Sequence, residues 1–316
     1  MDQQEDISKE REYELRPIKL EPGIYDFTIP IRNYIEKDIP FSDEQINVLR
    51  TFDRDYSFQE DIAKRGKGAV LSELNKALRG FDFEEAKSAS EEGLKMAQVI
   101  NPDIPIKPFP IVFLFNPFRG DAKSLHGQGC GINIMYLKSS THQEESTRQK
   151  IVTFTAHEAV HVFLKQLGMQ PEYKNKGLEK SVLDFLWEEG LTTYVEPTHY
   201  LPHDIVENDG DYWVDIINRW FDSDDIKKKE IYKEILERQS FQYWYNYMYN
   251  SQPLPYDWGS TDENFWILLT KRNGLAYHIG SYLWKREINK AKKEGKEIKD
   301  LVMAGSDEMV RWMEGV

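Results

Sequence analysis

The 316-residue sequence has a single cysteine, Cys130. An intrachain disulfide is therefore excluded, and so is a zinc site built from thiolates. Cys130 reads as a small residue at the start of a strand, the ordinary use of an unpaired cysteine. Long apolar runs are also missing. The longest, such as Ile111 to Phe115, are far too short to span a bilayer. Basic charge is in deficit, with 41 Lys and Arg against 54 Asp and Glu and a net charge of −13. Nucleic-acid binding needs a basic patch, and so does docking on anionic lipid. Neither partner is expected, and the acidity is read as serving solubility. The first residues, MDQQEDISKEREYELR, are charged throughout and contain no apolar core of a signal peptide. A cytoplasmic protein is the expectation, although an exported form with its signal removed would read the same.

What is present suits a globular chain: 40% apolar and 30% charged residues, in a length that allows one large domain or two small ones. Residues 1 to about 16 are polar and expected to fray. Residues 17 to 40, with several prolines, read as loop and short extended pieces. Ser42-Asp43-Glu44-Gln45 looks like a helix cap followed by an acidic first turn. Leu71 to Leu78 and Phe83 to Val99 are further helices, punctuated by Gly80 and Asn101-Pro102. The proline-rich stretch Asn101 to Pro110 works as a boundary, which separates a helical N-terminal region (1–100) from the remainder (101–316), unless the two are continuous. Ile111 to Phe115 then reads as a buried strand and Gly131 to Leu137 as a second one. Helices are expected over Thr147 to Leu167, with Gly168 just past the end, and over Gly177 to Glu196, stopped by Pro197. A loop runs to Asp211. Further helices cover Tyr212 to Phe221, Asp225 to Tyr249, Asp262 to Lys293 with a break near Gly274, and Asp307 to Met313. There is no internal repeat.

The chemistry lies in Phe154-Thr155-Ala156-His157-Glu158-Ala159-Val160-His161-Val162-Phe163. Residues four apart on a helix lie about 40° apart around the axis and one turn along it. His157 and His161 can thus present two imidazole nitrogens to one ion. Glu158 falls about 60° beyond His161 on the same side. There it is placed to take a proton from water activated by the metal, without itself being a ligand. Ile151, Val152, Phe154, Val160, Val162, Phe163 and Leu164 make this helix apolar around most of its circumference, so it should be buried. Buried histidines and a glutamate need partners, and a metal with its water supplies them. A chance HExxH turns up about once in a hundred chains of this length and composition, and chance gives no reason for it to sit on a buried helix.

A zinc site needs a third protein ligand and an open position. No third His follows His161 at metzincin spacing, and no HxxEH occurs. The next helix carries Leu186-Trp187-Glu188-Glu189-Gly190-Leu191-Thr192-Thr193-Tyr194-Val195-Glu196. HExxH followed by an apolar helix with this Glu-Gly segment resembles the gluzincin clan. WEEGLTTYVE is similar to the second zinc-binding segment of the membrane-alanyl-aminopeptidase and glycyl-aminopeptidase families. Their Gly-x-Met-Glu-Asn exopeptidase motif is absent, and the overall pattern is closer to a bacterial family of predicted Zn-dependent proteases of unknown function. The resemblance covers about residues 110 to 290, and only its two zinc segments are specific.

The resemblance implies Glu189 as the third ligand, with Glu188 the alternative, and one Zn2+ per chain. It implies a Tyr or His as oxyanion donor, for which Asn273-Gly274-Leu275-Ala276-Tyr277-His278-Ile279-Gly280-Ser281-Tyr282 offers Tyr277 and His278, with Tyr282 behind them. It implies an edge strand, here Gly131 to Leu137, that pairs with extended peptide substrate. Gly190 would let the two zinc-binding helices approach closely, and Gly280 suggests another close helix contact. Tyr194, about 140° around the helix from Glu189, reads as a packing residue or one that supports a ligand, rather than as a ligand. Gly127, Gly129 and Gly131 make no dinucleotide fingerprint and read as a flexible lip of the cleft. His126, His142, His199 and His203 read as solvated, and Arg119-Gly120-Asp121 as a chance tripeptide. Glu207 to Asp211 fails calcium-loop spacing, Asp222 to Asp225 reads as a helix cap, and the aromatics from Phe241 to Tyr249 read as core.

The expected fold is α+β, mostly helical and zincin-like, with a small mixed sheet packed on the HExxH helix in a metallopeptidase domain. The expected function is zinc-dependent hydrolysis of a peptide or protein substrate, with Glu158 as general base and Tyr277 or His278 steadying the oxyanion. The alternative is a zinc-containing binding or regulatory protein with a latent or inactive site, against which an intact Glu158 argues.

Overall fold

Strands form where apolar residues run on without a break, and helices form where they recur at helical spacing. A computed structural model describes residues 20–52, 58–116, 122–125, 127–138, 146–171, 177–196, 203–239, 241–242, 262–270 and 275–314. The N-terminal 16 residues, Arg119-Gly120-Asp121, His126, His142, His199 and the break near Gly274 lie outside them, as do the side chain of His203 and the aromatics from Tyr243 to Tyr249. The chain is mostly helical with one small sheet, an α+β arrangement. It divides into two compact units, residues 1–80 with 108–138 and residues 81–107 with 139–316.

The first unit holds the sheet. Its strands are β1 (Gly23–Asp26), β2 (Pro110–Leu114), β3 (Ala122–Ser124) and β4 (Cys130–Asn133), in the order β1-β2-β4-β3. β1, β2 and β4 are parallel, and β3 runs antiparallel to β4. β2 and β4 are buried along their whole length, which is why Ile111 to Phe115 reads as unbroken apolar sequence. Cys130 opens β4 and is fully buried.

Several expectations for this unit need correction. β4 ends at Asn133 rather than Leu137. The Asn133 side chain accepts from the Asn116 backbone N–H (3.1 Å), donates to the Asn116 carbonyl (2.7 Å) and accepts from the Met135 N–H (3.2 Å), so the chain turns there. β4 also lies between β2 and β3, so it is no edge strand. Gly129 and Gly131 are buried rather than forming a lip. A Cβ on Gly131 would lie 2.7 Å from the Phe52 ring, and one on Gly129 would lie 2.7 Å from the Pro110 carbonyl. The proline-bearing stretch before residue 40 contains a helix, α1 (Thr28–Lys37). Pro30 falls in its first turn, where a backbone N–H has no intrahelical partner to lose. The helices α2 (Asp43–Phe52), α3 (Phe58–Arg65) and α4 (Lys67–Leu78) follow. α2 begins at the expected cap: the Ser42 hydroxyl accepts from the Gln45 N–H (3.2 Å) and the Gln45 side chain accepts from the Ser42 N–H (2.9 Å).

The second unit is helical: α5 (Phe83–Ala97), α6 (Thr147–Gln166), α7 (Leu178–Val195), α8 (His203–Phe221), α9 (Asp225–Glu237), α10 (Asp262–Thr270), α11 (Leu275–Lys293), α12 (Ile298–Ala304) and α13 (Glu308–Glu314). Among the described residues, no helix is long and apolar enough to cross a membrane. Asp224 caps α9 by accepting from the Lys227 N–H at 3.0 Å. α8 starts eight residues before the Asp211 that was expected to end a loop. Its polar first half is tied down from outside: Arg238 holds Asp209, and the Tyr282 hydroxyl donates to Asp211 at 2.6 Å. Gly210 makes room for the Tyr282 ring, which a Cβ would approach to 2.6 Å. Tyr282 thus faces α8.

α7 and α11 cross at a glycine pair. A Cβ on Gly190 would lie 2.4 Å from the Gly280 carbonyl carbon, and one on Gly280 would lie 2.3 Å from the Leu186 carbonyl oxygen. Gly190 therefore serves contact with α11 rather than with α6. The Trp284 indole N–H donates to the Trp187 carbonyl at 2.8 Å beside this crossing. Backbone cannot yield as a side-chain tip can, so Gly190→Ala and Gly280→Ala should each lower stability by about 1–3 kcal/mol, the usual cost of overpacking. Urea unfolding of each variant measures this, and unchanged midpoints would mean that the two backbones can separate freely.

Candidate metal centre

α6 begins at a capping box, in which the Ser146 hydroxyl accepts from the Gln149 N–H and the Gln149 side chain accepts from the Ser146 N–H. It ends just before Gly168, which takes a positive φ of 71°. Between residues 150 and 164 every position is buried except His157. Gly93 of α5 allows this: a Cβ there would lie 2.6 Å from the Val152 carbonyl. The apolar circumference of α6 is thus satisfied as its sequence requires.

Three donor atoms meet at the α6–α7 contact. His157 Nε2 and His161 Nε2 are 3.3 Å apart. Glu189 Oε2 lies 3.3 Å from the first and 3.5 Å from the second. A tetrahedral zinc with bonds of about 2.0–2.1 Å separates its ligand atoms by about 3.3–3.4 Å. The triangle of donors has that edge, so these residues fit a divalent ion.

The other nitrogen of each ring is also engaged. His157 Nδ1 is 2.6 Å from Glu196 Oε1, and His161 Nδ1 is 2.7 Å from Glu188 Oε1. An Nδ1–H given to a carboxylate leaves the lone pair on Nε2, the tautomer a metal requires. The partners run in opposite directions, 157 with 196 and 161 with 188, because α6 and α7 are antiparallel here. Glu188 is thereby distinguished from Glu189. It is buried, bonded to His161 and 3.3 Å from the Gln170 amide, which donates to it. Glu189 is the carboxylate that faces both Nε2 atoms. The Thr192 hydroxyl donates to the Glu189 carbonyl at 2.7 Å, one turn along α7.

Two lone pairs and a carboxylate oxygen converging on one point repel unless positive charge lies between them. Burial alone pushes the His157 imidazole down. Hydrogen bonds to Glu189 and Glu196, with the charges of Glu196 and Glu158, outweigh it and raise the pKa to about 10. For His161, burial is likewise outweighed by the charges of Glu189 and Glu188 and by hydrogen bonds to both, and the pKa rises well above 6.5. Burial pushes Glu189 up, but His161 and His157 hold it far below the usual carboxylate range. Without a metal, protons supply the missing charge.

Glu158 is buried, 7% exposed, and close enough for its charge to act on His157. The Tyr277 ring lies against His157 with centroids 6.2 Å apart at 24°. His278 is buried and falls about 100° around α11 from Tyr277. Tyr194 is acted on by Lys285 of α11, while burial, the larger influence, raises its pKa. Glu196 was missed by sequence reasoning. The available signal was its spacing: seven residues after Glu189, it returns to nearly the same face of α7.

No family model matches the sequence, and no curated protein or solved structure is significantly similar to it.

Two outcomes follow from this geometry. Glu189→Ala should abolish tight zinc binding, whereas Glu188→Ala and Glu196→Ala should weaken it by about 10–100-fold, the usual effect of removing a carboxylate behind a ligating imidazole. Chelator competition measures all three, and equal losses would undo the distinction between donor and supporting carboxylate. In the metal-free protein, raised imidazole pKa values stabilise the fold fully below about 6.5. That contribution fades as pH rises through about 10 for His157. The depressed Glu189 contributes above its unfolded value of 4.5 and loses that contribution as pH falls. Zinc uptake at pH 7 should therefore release protons, which calorimetry in buffers of different ionisation enthalpy would show.

Proposed function

We propose that this chain is a zinc-dependent peptide hydrolase of gluzincin type, with His157, His161 and Glu189 as the zinc ligands. The observation that carries the reading is the convergence of these three donors at 3.3–3.5 Å, with each imidazole oriented by its own glutamate. Zinc bound there supplies a Lewis acid that lowers the pKa of water toward about 7 and polarises a carbonyl.

The chain's own residues do the rest. Two of the donors are partly exposed, with His157 and Glu189 side chains at 14% and 13%, while His161 is buried, so a substrate would approach from the side of the first two. Three protein donors leave a position open, as a hydrolytic site needs and a closed structural site does not. Glu158, next to His157 in sequence and near it in space, takes the proton from water and passes it to the leaving amine. Tyr277, whose ring lies against His157, is the residue we assign to the developing oxyanion, in preference to His278. Glu188 and Glu196 hold the imidazoles in one tautomer and one orientation throughout.

The reading is tested by elemental mass spectrometry and a peptide-library assay on the same preparations. Wild type should carry about one zinc per chain, and His161→Ala should carry none. Glu158→Gln should keep its zinc and lose about 10²–10⁴-fold in hydrolysis, the usual worth of a general base. Bound iron with no hydrolysis would point the same donor set to oxidative chemistry. Zinc without any hydrolysis in wild type would favour a binding or regulatory protein.

A further inference from the structure

α6 ends in a cap that turns its chain back on α7. Gly168 takes a φ of 71°. Its N–H donates to the Lys165 carbonyl at 3.0 Å, and the Met169 N–H donates to the Leu164 carbonyl at 2.8 Å. Two such bonds around a left-handed residue reverse the chain after the last helical turn. Gln166 fixes the same end from its other side. Its side chain accepts from the Lys107 N–H at 2.8 Å and donates to the Lys107 carbonyl at 2.9 Å. The first polar side chain past this anchored cap is Gln170, and it reaches α7.

There the Gln170 amide Nε2 donates to Glu188 Oε1 at 3.3 Å. This is the oxygen that His161 Nδ1 meets at 2.7 Å. Glu188 is buried, 2% exposed, and Gln170 is half-buried. A carboxylate taken out of water is costly unless donors meet its lone pairs. One carboxylate oxygen has lone pairs enough for both the ring N–H and the amide. A carboxylate held by one bond can swing about its side-chain axis, whereas two donors on one oxygen fix where that oxygen lies. The order is then Gln170, Glu188, His161 and the Nε2 lone pair, each group fixing the next. Glu196 and His157 form the corresponding pair at the other end of the α6–α7 contact.

We infer that Gln170 is a positioning residue of the metal centre, which acts on His161 through Glu188. Its amide bonds the carboxylate and not the imidazole, so its effect on a metal passes through Glu188. This rests on the metal-centre reading above, and it adds a residue that lies outside both helical zinc segments.

The test is metal affinity of the full chain by chelator competition with Zn2+, together with the visible absorption of the chain loaded with Co2+, which reports ligand geometry. Gln170→Leu keeps most of the volume and removes the donor. It should weaken zinc binding about tenfold, the low end of what a lost outer hydrogen bond costs at a metal ligand, and shift the Co2+ bands. In a Glu188→Ala background the same substitution should cost nothing further, whereas in a Glu196→Ala background it should again cost about tenfold. Equal losses in the two backgrounds would mean that Gln170 merely supports the end of α6, and would overturn the inference. Unchanged affinity and spectrum in Gln170→Leu would overturn it as well. Urea unfolding is followed for each variant, and Gln170→Met takes the place of Gln170→Leu if the latter does not fold. No turnover is measured, so a chain that binds zinc without hydrolysing peptide is still tested in full. Wild-type protein that binds neither Zn2+ nor Co2+ removes the metal centre, and this inference with it.

Discussion

Two hydrogen bonds decide what the α6–α7 contact can do. An imidazole on a helix can rotate about its side-chain bonds and can carry its proton on either nitrogen. Glu196 and Glu188 remove both freedoms, at 2.6 and 2.7 Å from His157 and His161. With Nδ1 engaged, each Nε2 lone pair points the same way, and Glu189 completes the triangle. The arrangement is repulsive without a cation; the raised imidazole pKa values express that as affinity for protons, and the lowered Glu189 pKa reflects its attraction to the protonated rings. A metal bound there would compete with protons for one place, so the carboxylates that orient the rings would also set the pH of that exchange.

The glycine pair at the α7–α11 crossing is the second constraint. α7 presents Glu188, Glu189 and Glu196 to α6 and must also receive α11 on another side. Gly190 and Gly280 let the two backbones meet where any side chain would hold them apart. That approach brings Tyr277, three residues before Gly280, against His157. Adding a Cβ at either glycine therefore strains the packing of the helix that carries Tyr277. Site and core share a fold element here, and a change in one registers in the other.

The histidines of the candidate donor cluster were legible in the sequence because they depend on spacing within one helix, and Glu189 was reached through the family resemblance. His157 and His161 share a face by helical periodicity alone, and a Glu-Gly segment on the next apolar helix supplied the third position. The supporting carboxylates were not legible in the same way. Whether Glu188 ligates or supports depends on how α7 is rotated against α6, which is a tertiary fact. The sheet shows a similar limit. Ile111 to Phe115 announces a buried strand, but nothing in the sequence of β4 says that β3 will fold back beside it and make it an interior strand. Pro30 and the acidic stretch before Asp211 misled for local reasons. A proline in a first turn costs no hydrogen bond, and an acidic helix half with a glycine is stable when Arg238 and Tyr282 come to meet it.

The pattern of burial argues about function more strongly than the motif does. An accidental HExxH on a packed helix would leave its histidines either fully covered or dispersed into solvent. Here α6 is sealed over fifteen positions except at His157, and on α7 the donor Glu189 is likewise not buried. A purely structural ion would be better served by closure on all sides, since water competes for its coordination. A site that must admit a substrate needs polar donors and apolar surface open at one place. Among the described residues, His157 and Glu189 keep part of their side chains open, and the proposed hydrolase would need that opening.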